Sequence, residues 1–181
     1  MKILMRQLLL VALPVVLVFG QQKANLAKQS DPFDLSSSRD KIGKFGLPTV
    51  GRVADLEKKA KVLYSAENWR DASTAMDRFA REANNLANLI SAGLEPYYNA
   101  SYDDKKGIKG ISTLAGYEKL ANDYKAKRDR AMVMQAECLI LIGQKEEAAA
   151  LLLRVLDKIS VDDREWWDRA RDKLYTLIDV R

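Results

Sequence analysis

Ala136-Glu137-Cys138-Leu139-Ile140-Leu141-Ile142-Gly143-Gln144-Lys145-Glu146-Glu147-Ala148 is the stretch on which the reading of this chain turns. The segment from Arg130 to Ile142 is apolar on nearly every side, as in a helix buried on both faces. Gly143 ends that helix, and a second stripe follows with Ala148, Leu152, Val155 and Ile159. Ala136, Leu139, Ala148 and Leu152 stand at relative positions 0, 3, 12 and 16. Ala60, Leu63, Ala72 and Met76 repeat that spacing. The physical sense is geometric. A small residue on each helix lets two antiparallel helices approach closely, and a larger apolar residue one turn away fills the groove.

Working outward, helical periods cover almost everything from Arg52 onward. Leu56, Ala60 and Leu63 draw one stripe. Asn68 caps a helix striped by Ala72, Met76, Phe79, Ala83, Leu86 and Ile90, which Gly93 ends. That stripe predicts about 24 residues, or roughly 36 Å of helix. Residues 93–110 break the period with Gly93, Pro96, Asn99, Gly107 and Gly110, and they hold Tyr97, Tyr98 and Tyr102. They predict a long loop, whose tyrosines either fasten it to the helices or stack on a ligand. Ile111, Leu114, Tyr117, Ala121 and Tyr124 form a third stripe. Asp129 is expected to cap the helix that starts at Arg130. Asp162 with Glu165 resembles a capping box ahead of Trp166, Ala170, Leu174 and Leu177. No segment alternates, so the fold class is all-α: antiparallel helix pairs without a sheet.

The two copies resemble the tetratricopeptide repeat: a small residue, a large apolar one, a turn, then an alanine opening the second helix. Trp69 stands where that family prefers an aromatic, three residues before Ala72. The resemblance covers residues 52–83 and 128–160. The copies lie 76 residues apart (136 − 60), against 68 for two standard repeats of about 34. A middle unit would need a first helix near residues 97–108, where the Tyr and Gly loop sits. Met132 and Ser160 replace the family's early tryptophan and closing proline. The resemblance therefore implies a short solenoid of two units, one broken unit and a capping helix. An unrelated antiparallel bundle is the other architecture open at this point.

Membership of that family implies an interaction role, with a partner segment held on a concave face built from the first helix of each pair. Carried over by position, the inner face comprises Glu57, Lys61 and Tyr64 in one unit and Arg130, Val133, Glu137 and Ile140 in the other. Trp166 and Trp167 either close the open end of the array or dock against a partner.

Composition narrows the chemistry. The 181 residues include no histidine and one cysteine. The commonest general base and metal ligand is thus missing, and neither an internal disulfide nor a Cys-rich metal site can form. Paired carboxylates remain at Asp103-Asp104 and Asp162-Asp163. The second pair is explained by a helix start. We expect no enzyme, no cofactor and no metal. Lys58, Lys59 and Lys61 share a helix with Asp55 and Glu57, which reads as a solvated face rather than a nucleic-acid patch. Cys138 reads as a buried, inert thiol.

The N-terminus reads as an address. Lys2 and Arg6 precede an uncharged run from Leu8 to Phe19, and Val18-Phe19-Gly20 offers a cleavage site. Residues 1–20 are expected to be a signal peptide, residues 21–51 a flexible linker and residues 52–181 the helical domain. Removing the signal takes the charge from +5 to 28 − 25 = +3. A balance that mild suits a protein partner better than nucleic acid. The expected location is a bacterial periplasm or the outer face of a membrane. The alternative is a structural subunit of a membrane complex, held by residues 3–20 as an uncleaved helix.

Overall fold

The computed structural model describes residues 47–108, 111–160 and 162–180. The signal segment and nearly all of the linker lie outside the described residues. Among the described residues every regular element is helical. None of these helices is long and apolar enough to cross a membrane.

Helix α1 runs Val50–Ser65, and Thr49 caps it by accepting the Arg52 amide at 3.2 Å. The helical domain therefore begins two residues before position 52. Helix α2 runs Trp69–Gly93, capped by Asn68 as its sequence predicts. A short α3 (Tyr102–Lys106) follows, capped by Ser101. Helices α4 (Ile111–Leu141), α5 (Lys145–Leu156) and α6 (Arg164–Leu177) complete the order. Packing follows the chain: α1 lies on α2, α2 on α4, α4 on α5 and α5 on α6. The core takes in most of the expected stripes, but Ile111 and Tyr117 of the third stripe are exposed, because no helix covers the start of α4 on that side. Ala60, Ala72, Met76, Phe79 and Ala83 join Ala136, Leu139, Ala148, Leu152, Val155, Ala170 and Leu174 in one buried cluster. Burying each large member contributes about 1.5–3 kcal/mol.

The two repeat copies share four turn hydrogen bonds in the same register. In the first, Ala66 N donates to Val62 O, Glu67 N to Tyr64 O, Asn68 N to Leu63 O and Ala72 N to Asn68 O. In the second, Ile142 N donates to Cys138 O, Gly143 N to Ile140 O, Gln144 N to Leu139 O and Ala148 N to Gln144 O. Each donor and each acceptor in the second set lies 76 residues after its counterpart. The left-handed residue occupies the same register in both, Glu67 at φ 57° and Gly143 at φ 83°. This is a Schellman ending, which satisfies carbonyls at a helix C-terminus through one residue of positive φ.

Three local expectations are corrected. Asp129 caps nothing. It is buried within a continuous α4, where Arg128 pairs with both its oxygens at 2.7 and 3.0 Å. Nothing between Ile111 and Leu141 breaks a helix except Gly116, which the helix tolerates. Asp162 is not the cap of α6. Asp163 holds that position, and its carboxylate receives Arg130 instead of the helix amides. The middle unit, expected to be broken, forms no separate helix pair among the described residues. The second half of α2 and the first half of α4 extend the existing helices, joined by a tip that includes α3.

That tip is fastened by its tyrosines. Tyr97 is buried beneath Lys105, which lies 4.8 Å from the ring centroid and 2.9 Å from Glu118 on α4. Tyr98 receives Lys125 and donates to Asn122 at 3.3 Å. Only Tyr102 stands out in solvent, 75% exposed with Lys106 over its ring.

Candidate partner-binding face

Residues of α1, α4 and α6 converge on one cleft of about 150 Å³. Glu57 and Lys61 come from α1, Lys127, Arg130 and Met134 from α4, and Trp166 from α6, with Met76 and Phe79 of α2 also lining it. Four of the nine sequence-derived contact residues thus line a single cleft: Glu57, Lys61, Arg130 and Trp166.

The rim is an ordered charge array. Glu57 accepts Lys61 of its own helix and Lys127 of α4, each at 2.7 Å. Burial alone would raise its carboxyl, but the two lysines outweigh burial and hold its pKa below the ordinary value. Arg130 grips Asp163 with two nitrogens at 2.8 and 3.1 Å. That bidentate contact raises the guanidinium pKa further and ties the start of α6 to α4.

The remaining carried-over residues are placed differently. Val133 has no exposed surface and belongs to the core. Glu137 is 6% exposed, so neither residue offers a surface to a partner. The reason is that α4 is covered on several sides, which turns positions 133 and 137 inward. Glu137 instead forms a knot between three helices. Tyr64 of α1 donates its hydroxyl to Glu137 Oε2 at 2.7 Å. Arg169 of α6 donates to both carboxylate oxygens at 2.7 and 2.6 Å, and to the Tyr64 oxygen at 3.2 Å. Burial, then the hydrogen bond and charge of Glu137, push the Tyr64 phenol up to about 12. Tyr64 also meets Trp69 edge to face at 5.5 Å. Ile140 packs half-buried against the core. Trp167 stands outside the cleft with Arg171 over its ring.

Sequence reasoning missed Lys127, Met134 and Arg169. A signal existed for each: Lys127, Arg130 and Met134 follow helical spacing on α4, and Arg169 is one turn beyond Trp166, over whose ring it lies at 4.7 Å. The Cys138 thiol is fully buried. Burial and the neighbouring Glu137 charge push it up to about 11, which keeps it protonated and inert.

Compared with known proteins, the chain matches no family model, no curated protein and no solved structure.

Proposed function

We propose that this chain is a non-enzymatic adaptor of the cell envelope, built on tetratricopeptide-like units, which docks a segment of a partner protein on the face shared by α1, α4 and α6. One observation carries the reading. The first helix of each repeat copy, α1 and α4, lines the same cleft, as the inner helices of such arrays do. The four hydrogen bonds shared by the turns of the two copies support treating α1/α2 and α4/α5 as units, with α6 as the cap. Export follows from the signal pattern of residues 1–20, and a mature start at Gln21 found by N-terminal sequencing would agree with it.

The docking face is tested by placing a photo-crosslinking amino acid at Lys61 or, as a control, at Lys119. The expected result is a discrete protein adduct from position 61, absent from position 119 and lost when Arg130→Ala and Trp166→Ala are combined. Identical adducts from both positions would sink the proposal.

A further inference from the structure

A second cleft lies between α2, α4 and α5 and shares no lining residue with the partner face. Its volume is about 230 Å³. Four cations line it, Arg81 from α2, Arg128 from α4, Arg154 from the last turn of α5 and Lys158 from the turn just after it, against one carboxylate, Asp77. We propose that this cleft binds a compact, multiply charged oxyanion of the phosphate class.

The charge distribution supports this. Asp77 pairs with Arg81, and Asp129 pairs with Arg128 from outside the cleft lining. Those two pairs cancel. Arg154 and Lys158 are left with no ion-pair partner among the described residues, four positions apart at one helix end. A basic residue near a helix C-terminus is favourable by itself. That rule does not explain why cations from two further helices line the same cleft.

Arg128 is already held in place. Its Nη1 donates to Asn84 Oδ1 at 2.8 Å while Asp129 fixes the other side, and the side chain is only 16% exposed. A planar guanidinium locked in this way forms strong charge-assisted contacts to an oxyanion without further loss of side-chain freedom. The size of the cleft suits this ligand class. At about 230 Å³ the cleft has room for a phosphate or diphosphate group within reach of its cations.

The test is isothermal titration calorimetry of sodium pyrophosphate into the purified protein at constant ionic strength. Flotation with phosphatidylcholine vesicles, with and without phosphatidylglycerol, shows whether the phosphate is free or carried by a lipid headgroup. Saturable binding of one of these probes is expected, weakened at least about tenfold by Arg154→Gln with Lys158→Gln. The exposed pair Lys119→Gln with Lys145→Gln removes the same charge and should leave binding unchanged. Absence of saturable binding to either probe would overturn the proposal. Equal weakening by both double variants would also overturn it, because it would reduce the effect to bulk charge.

Discussion

The turn between α1 and α2 and the turn between α4 and α5 have one backbone and two chemistries. Both end a helix through the same four hydrogen bonds and one left-handed residue. The second turn uses glycine there, which adopts positive φ without steric cost. The first uses Glu67, which costs roughly 1–2 kcal/mol for an ordinary L-residue. Compensation sits next door. Asn68 caps α2 through its side chain, whereas Gln144 makes no such bond to α5. The comparison teaches that the small and large apolar positions dictate the turn. The residue at its apex is negotiable as long as neighbouring bonds offset its strain.

If the copies are equivalent, equivalent substitutions should behave alike. The largest effect is expected from removing the groove fillers. Met76→Ala and Leu152→Ala each delete a fully buried side chain and should cost about 2–5 kcal/mol in denaturant unfolding. A tenfold smaller cost in one copy would break the equivalence. Next, Ala148 is fully buried where α5 meets α4, so Ala148→Leu should overpack that contact by about 1–3 kcal/mol. An unchanged melting temperature would refute the close approach.

The knot that links α1 to α4 and α6 gives a smaller effect with a pH signature. Tyr64→Phe removes a hydrogen bond to a buried carboxylate and should cost about 1.5 kcal/mol at neutral pH. The folded phenol titrates near 12, above its unfolded value of 10.0. The folded state therefore holds its proton while the unfolded chain loses it, and stability falls as pH rises from 10 towards 12. The wild type should lose stability more steeply than Tyr64→Phe across that window, as read from urea midpoints. Smallest is the apex itself. Glu67→Gly should stabilise by about 0.5–1 kcal/mol, and Gly143→Ala should destabilise by a similar amount. Nothing lies within 4 Å of a Cβ built at Gly143, so backbone strain alone is read out there.

A second contrast separates this repeated body from the tip at residues 94–108. In the body, apolar residues at gaps of three and four announced the helices, and Asn68, Gly93 and Gly143 marked their ends. In the tip, helix ends and anchors depend on pairs distant in sequence. Lys105 with Glu118, and Tyr98 with Lys125, carry no local period. The same limit explains Asp129 and Asp163. Each looked like a local cap or a neighbour of one; Asp163 is claimed by Arg130, 33 residues away, and Asp129 sits with its neighbour Arg128 inside a helix that packing runs straight through it.

Composition and spacing alone determined the all-helical class, most helix stripes, the paired small residues and the buried cysteine, because burial of an apolar stripe is a local property of a 3.6-residue period. Tertiary structure decided three things. It ran α4 unbroken past Asp129, it joined α1 to α4 through the side chains of Glu57 with Lys127 and Tyr64 with Glu137, and it turned Val133 and Glu137 inward while leaving Glu57, Lys61, Arg130 and Trp166 on a common cleft. The reason is that a residue's exposure depends on which helices cover its own, and no spacing along one chain segment records how many neighbours that segment will acquire.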